Sequence, residues 1–512
     1  MIRTDLIAPI GELLSCQVQR RPGKLAFRDK VRSVTYQALA TRTAMIAGYL
    51  QQAGVEPGQR VAIHLPNSVD WVEMCVAIVR AGAVAVPISF ASTADEIAYR
   101  LSDAQCVVVF TYPERVEELH ALCTAHAIDP KVIAVQRGEG KPFASSAAMP
   151  LPAPRDPVDI AQPAFIVYTS GTTGKAKGVV LTLEGMLWVT AACWVPIAGL
   201  SENDYVLDAL PLFHSYALNL AVVSIIATGA SEYIMEQFST SEMAKQLRQQ
   251  PVTVLPGVPT FFHYMLERSR EEKRRTLNKL RICLSAGAIL PGTLNRDFEN
   301  WFGIKLLDGY GITETSTMVT LNSPEGSRFM GSCGVPLPGL GVRIVDLEGK
   351  DLDPGQDGEL IVRGPNVMLG YHGKPDETAS ALRNGWYHTG DLARRDRFGF
   401  ITITGRLKEI IIRGGQNISP AEVEETLSLH TSILDCAVVG LPHEFLGEVP
   451  VAFIIPRPGR NADTAEILEH CRLHLSDYKV PHAIHVVAEI PRTGSGKVQR
   501  FKLKELVQAP RF

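Results

Sequence analysis

The sequence is poor in the features that mark several large protein classes. Its nine cysteines stand singly, as at Cys16, Cys75 and Cys106, and no C-x-x-C pair occurs. That excludes a disulfide framework and a zinc ribbon, and fits a reducing compartment. Net charge is only −3, so neither nucleic acid nor an anionic membrane is expected as the main partner. The start, Met1-Ile-Arg-Thr-Asp5, lacks the basic-then-apolar profile of a signal peptide. No apolar run reaches the roughly 18 residues of a membrane span. The longest, 217–230, is interrupted by Asn219 and Ser224. No internal repeat or low-complexity tract is evident. The expectation is a cytoplasmic protein without a transmembrane segment, with peripheral membrane contact left open.

What is present is ordinary globular composition, 46% hydrophobic and 21% charged over 512 residues. Length alone predicts about three domains or subdomains. Residues 60–65, 81–87, 106–110 and 131–135 read as strands, separated by helical patterns. Asn67 is the predicted cap of one such helix, with Asp70 in its first turn. Val72, Cys75, Val76 and Val79 form one apolar stripe on it. Strands alternating with helices predict doubly wound parallel α/β sheets. Residues 138–162, rich in Pro, Ala, Gly and Ser, read as a surface connection. His120, Cys123 and His126 do not converge on a helix, so they read as a polar face rather than metal ligands.

The most informative stretch is Tyr168-Thr-Ser-Gly-Thr-Thr-Gly-Lys-Ala-Lys-Gly178. A buried strand at 164–167 precedes it and apolar residues 179–181 follow. Gly171 and Gly174 let backbone approach a ligand, and exposed N–H groups form an anion nest. Thr169, Ser170, Thr172 and Thr173 add hydroxyls, and Lys175 and Lys177 add charge. The loop suits a polyphosphate. It is not a Walker A loop, because Lys175 has the wrong glycine spacing and Ala176 behind it.

Further strands are predicted at 206–212, 253–257, 281–285 and 305–307. Ligands in open α/β sheets bind outside the carboxyl ends of strands. The loops Pro211-Leu-Phe-His214, Pro256-Gly-Val-Pro259, Ser285-Ala-Gly287-Ala288 and Asp308-Gly309-Tyr310-Gly311-Ile-Thr313-Glu314 are therefore expected to line one crevice. From 331 to about 404, alternating runs and Gly-rich turns predict a small antiparallel, barrel-like sheet. Ser419-Pro-Ala-Glu422 reads as a capping box with proline at the first helical position. The last hundred residues read as α+β, giving a large domain at 1–407 and a small one at 408–512.

These motifs carry a resemblance. With Trp386-Tyr-His-Thr-Gly-Asp391, Gly405-Arg406-x-Lys408 and Pro491-Arg-Thr-Gly-Ser-Gly-Lys497, the chain resembles the adenylate-forming superfamily over nearly its full length. That group includes acyl-CoA synthetases, luciferases and adenylation domains. The resemblance implies that a carboxylate attacks the α-phosphate of Mg·ATP, and that a thiol, usually of coenzyme A, then displaces AMP. It implies phosphate binding by 169–175 and Mg2+ held by Glu314 and Thr169. Thr313 would donate to the α-phosphate. Tyr310 would face the adenine, and Gly287, Ala288, Asp308, Gly309 and Gly311 would line the nucleotide site. Asp391 would accept from the ribose hydroxyls, with Arg406 supporting it. Lys497 would bridge carboxylate and phosphate. His214 would border the acyl pocket, although a rim histidine fits equally. Lys408 would be the hinge, and Gly414 and Gly415 would pass the pantetheine arm.

The acid is less legible. Phe213-His-Ser-Tyr216 lacks the aspartate of amino-acid-activating relatives. The expected pocket segments 188–194, 213–220, 257–262 and 285–288 hold no arginine for a second carboxylate. A medium- or long-chain fatty acid is expected first and an aryl or cinnamic-type acid second. Coenzyme A is the expected acceptor, a carrier-protein thiol the alternative, and a homodimer is left open. A luciferase-like oxygenase and a non-catalytic nucleotide binder are the competing classes.

Overall fold

The computed structural model describes residues 1–137, 151–169, 176–273, 275, 277–460, 462–492 and 497–508. Two large sheets dominate them. One runs Gly370–Tyr371, Lys177–Thr182, Pro163–Thr169, Val84–Pro87, Arg60–His64, Cys106–Thr111, Lys131–Ala134. It is parallel from Pro163–Thr169 onward and antiparallel at the other edge. The second has nine strands, with Lys305–Tyr310, Ile282–Ser285, Val254–Gly257, Tyr205–Asp208 and Ser231–Ile234 parallel at its centre.

Side-chain alternation with period two explains how each sheet is covered. Val61, Ile63, Val206, Ile282 and Leu284 all point into one core between the sheets. Their neighbours Ala62, Leu207 and Cys283 point outward instead. Helices Ala94–Asp103 and Val116–Ala125 cover one outer face through Ile97, Leu101 and Leu119. Helices Thr240–Gln249, Pro259–Glu271 and Gly292–Phe302 cover the other through Met243, Phe262 and Phe298. This is the doubly wound α/β arrangement expected, with antiparallel strands added at the edges.

Several local expectations need correction. The helix Val69–Arg80 is buried on every side, not along one stripe, because it lies between the two sheets. Its cap is Ser68, whose Oγ accepts from Trp71 N at 3.1 Å. Asn67 instead ties the sheets together: its amide donates to Leu210 O at 2.7 Å and its Oδ1 accepts from Leu212 N at 2.9 Å. Asp70 and Glu73 pair with Arg32 at 2.5 and 2.6 Å, so the charge in the first turn is neutralised by an ion-pair network. The strand expected at 206–212 is Tyr205–Asp208, since Asp208 Oδ1 accepts from Leu210 N and turns the chain. Among the described residues no helix is long and apolar enough to cross a membrane. The run 217–230 is a short helix with a π-turn at Leu218–Val223, ended by Gly229 at φ +76°. His120 and His126 are exposed while Cys123 is buried, and no metal-holding cluster occurs among the described residues.

A five-stranded antiparallel sheet follows, built from Gly341–Val345, Asp357–Arg363, Leu382–Arg383, Trp386–Arg395 and Ile401–Arg406. The turn Leu407–Glu409 leads out of it. Beyond lies an α+β unit. Its sheet carries helices Pro420–Ser428 and Thr464–His474 on one face and Arg500–Gln508 on the other. The helix does begin at Pro420, but the capping box is not formed: Ser419 Oγ donates to Thr404 O, and Glu422 pairs with Lys479 at 2.6 Å.

Candidate nucleotide and acyl site

Parallel register aligns the loops of the crevice. Gly257 lies beside Ser285, and Ser285 beside Asp308, at the carboxyl ends of neighbouring strands. Asp308 is buried, its Oδ1 has no partner among the described residues, and burial raises its carboxyl well above the usual range. Ser285 Oγ has no partner among them either. Buried polar atoms are almost always satisfied, so orphans at the mouth of a crevice point to a ligand.

The strand Lys305–Tyr310 then enters a tight turn. A Cβ on Gly311 would lie 1.4 Å from Thr317 O, so only glycine fits there. Ser316 and Thr317 take φ of +50° and +111°, a strained geometry for non-glycine residues that costs about 1–3 kcal/mol each. The segment that follows the small sheet's second strand holds this turn in place. Asn366 Nδ2 donates to Thr315 O and Met318 O at 3.0 and 2.8 Å. Met368 N donates to Glu314 O at 2.8 Å, and Tyr371 Oη to Glu314 Oε1 at 3.1 Å. Thr313 shares a hydrogen bond of 3.3 Å with Ser215, next to His214.

From the antiparallel sheet come Asp391 and Arg406, directly opposite in register. Asp391 Oδ1 meets Arg406 Nε at 2.7 Å, and its Oδ2 accepts from Tyr310 Oη at 2.6 Å. Lys497 reaches the same place from the far end of the chain. Burial and the Arg406 charge lower its pKa, while Asp391, Glu314 and Glu409 work the other way. His214 is pushed down to about 3 by burial, with the Lys497 charge second. Segments remote in sequence, carrying His214, Glu314, Asp391, Arg406 and Lys497, thus share one electrostatic neighbourhood.

Thr169 ends its strand opposite Lys177, whose Nζ lies 4.9 Å from the centre of the Tyr371 ring. Ser170, Gly171, Thr172, Thr173, Gly174 and Lys175 fall outside the described residues. Gly287 has φ +87° and Ala288 is exposed, both beyond the strand Ile282–Ser285. Lys408, Gly414 and Gly415 are not brought to the cluster. Lys408 is exposed in its turn. Gly414 and Gly415, at φ +56° and +82°, form the two-residue turn of an exposed hairpin in the C-terminal sheet.

Behind His214 two helices each contain a π-turn, Thr190–Trp194 and Leu218–Val223, a device often found at functional sites. Trp194 stacks on Tyr216 with ring centres 6.0 Å apart. Trp194 Nε1 donates to Asn219 Oδ1 at 2.7 Å, and Asn219 Nδ2 donates to Met186 O at 2.9 Å and Ser316 O at 3.3 Å. Tyr216 Oη donates to Leu284 O at 3.0 Å. Sequence reading missed Tyr371, Asn366 and the Asn219 bonds. Tyr371 is 57 residues from Glu314, and no spacing rule pairs them.

Hydroxyls, carboxylates and a C-terminal lysine from distant segments thus gather at the strand ends of an α/β sheet pair. Residues 14–372 match the family described as AMP-binding enzyme, and 422–497 its C-terminal domain. The chain belongs to this adenylate-forming family. It is 35% identical to a feruloyl-CoA synthase of Amycolatopsis sp over 484 residues, 94% of this chain and 96% of the relative. It is 33% identical to a long-chain-fatty-acid–CoA ligase of Bacillus subtilis over 531 aligned residues, 97% of this chain and 94% of the relative. The crystal structure of ATP-bound MatB from Rhodopseudomonas palustris is similar at a TM-score of 0.88, with 30% identity, covering 98% of this chain and 99% of that one. Family and relatives support acid–CoA ligation through an adenylate.

Proposed function

We propose that this chain activates a compact aryl or cinnamic-type acid as its acyl-adenylate and transfers the acyl group to coenzyme A. The observation that carries the choice of acid is the Trp194–Asn219 hydrogen bond behind His214. A flat acid can lie against the Tyr216 face of the stack. A long alkyl chain running deeper would have to break this bond and leave buried donors unpaired, which is costly. The packing therefore favours the second of the two acids that the sequence admits over the fatty acid placed first.

The first step brings an anion to a polyanion, so positioned positive charge is the main requirement. The acid's carboxylate oxygen attacks the α-phosphorus, and the bond to the pyrophosphate oxygen breaks. Lys497 spans the attacking oxygen and the α-phosphate, and Thr313 donates to that phosphate. Asp391 keeps lone pairs beyond those used by Tyr310 and Arg406, which suits acceptance from ribose hydroxyls. The orphaned Asp308 oxygen suits the exocyclic amine of adenine. The donor set of Glu314 carboxylate and Thr169 hydroxyl is all hard oxygen, which fits Mg2+. Bound with the triphosphate, that ion supplies charge neutralisation. In the second step the coenzyme A sulfur, its proton lost, attacks the acyl carbon, and AMP leaves as the acyl C–O bond breaks. For this the 408–512 unit turns about Lys408, and the Gly414–Gly415 turn comes to the pantetheine arm. The exposure of both turns supports that motion.

A pyrophosphate-release screen across acids of varied length and aromaticity, with and without coenzyme A, tests the reading. Acid-dependent release strongest with aryl or cinnamic-type acids, followed by the corresponding thioester, is expected. Best turnover on long-chain fatty acids, or transfer only to a carrier-protein thiol, overturns the corresponding part. Absence of any acid-dependent release overturns the whole.

A further inference from the structure

We propose that Tyr371 is a positioning residue for Glu314, fixing which way its carboxylate faces the triphosphate. The inference rests on the reading of Glu314 as the Mg2+ ligand. Glu314 sits in a turn with two positive-φ residues, Ser316 and Thr317, which its own sequence does not favour. Three residues of the segment 366–371 hold that turn. Two of them, Asn366 and Met368, grip only backbone carbonyls. They fix where Glu314 starts, not where its carboxylate ends. Tyr371 is the residue whose hydroxyl meets the carboxylate itself, at Oε1.

Tyr371 is in turn well anchored. It lies on the edge strand Gly370–Tyr371, opposite Val179. Its own N–H donates to Thr378 Oγ1 at 2.9 Å, and His372 N donates to Gly178 O at 2.8 Å. The Lys177 ammonium stands over its ring at 4.9 Å, and a cation so placed is attracted to the ring face. Lys177 lies two residues past the 169–175 run. One side chain thus touches both the exit of the phosphate loop and the metal-binding carboxylate. A carboxylate held at Oε1 presents its other oxygen in a defined direction, whereas an unheld one samples several rotamers. Groups that orient a metal ligand typically contribute about 10- to 100-fold in metal affinity.

The test uses Tyr371→Phe, which keeps the ring and the Lys177 contact and removes only the hydroxyl. Glu314→Gln serves as the reference. Mn2+ binding to the full-length enzyme with a non-hydrolysable ATP analogue is followed by electron paramagnetic resonance. The Mg2+ dependence of pyrophosphate release is measured beside it. Tyr371→Phe is expected to weaken Mn2+ binding about tenfold and to raise the half-saturating Mg2+ by a similar factor. Turnover should be largely recovered at saturating Mg2+, with unchanged thioester formation from preformed acyl-adenylate. Tyr371→His, which returns a donor, should recover part of the affinity; a phenotype no better than Tyr371→Phe in this folded variant counts against positioning. If Glu314→Gln weakens the metal and Tyr371→Phe does not, the positioning role is wrong. If neither does, the reading of Glu314 is wrong and the inference goes with it.

Discussion

Asp391 and Arg406 face each other across two antiparallel strands, carboxylate to guanidinium at 2.7 Å, with the Tyr310 hydroxyl on the other carboxylate oxygen. The nine-stranded mixed sheet supplies the tyrosine and the small antiparallel sheet supplies the ion pair. This end of the crevice is therefore a joint between two sheets.

Asp391→Asn keeps the shape but replaces a charged acceptor by a neutral amide. Because hydrogen bonds to charged groups contribute about 1.5–3 kcal/mol, KM for ATP is expected to rise about 10- to 100-fold. ATP–pyrophosphate exchange at varied ATP checks this. An unchanged KM would remove Asp391 from the nucleotide site.

Lys497→Ala removes the cation proposed to stand between carboxylate and α-phosphate. ATP–pyrophosphate exchange should fall by about 100-fold or more, while thioester formation from preformed acyl-adenylate stays mostly intact. Equal loss of both steps would contradict the two-geometry scheme. Since burial lowers the Lys497 pKa, exchange in the wild-type enzyme should also decline at a more moderate alkaline pH than an ordinary lysine allows.

Asn219→Ala leaves the buried Trp194 indole without its acceptor. A stability loss of about 1–3 kcal/mol is expected in denaturant titrations. The space opened behind Tyr216 should also move the acid profile toward bulkier or longer substrates. A profile identical to wild type would place the acyl pocket elsewhere.

Asp208 gives a pH prediction with a definite sign. It is fully buried, its Oδ2 has no partner among the described residues, and burial pushes its carboxyl up to about 7. The folded state thus binds more protons than the unfolded state between the ordinary carboxylate pKa near 3.8 and about 7. Stability from this group is full below that window and is lost as pH rises through it. Asp208→Asn should therefore melt higher than wild type at pH 7.5, with the advantage shrinking toward pH 4. His214, pushed down to about 3, acts oppositely: its contribution is lost as pH falls from about 6.5 toward 3. Melting curves across pH for His214→Asn and Asp208→Asn separate the two.

The sequence by itself determined the α/β class, the alternation that buries each sheet on two faces, and the residue types of the site. Glycines, hydroxyls, Glu314, Asp391 and Lys497 are legible because their chemistry is local: a turn, a strand end, an unusual residue in a polar loop. It misjudged what depends on partners. Asn67 and Ser419 have the look of caps, yet each bonds across to another element. Both side chains bond backbone groups of neighbouring elements instead of the helix N–H groups beside them. Tertiary packing alone brought Tyr371 to Glu314, Asn219 to the Trp194 indole, and Lys497 near His214. Those relations arise when strands far apart in sequence come into register, and distance along a chain carries no record of distance in space.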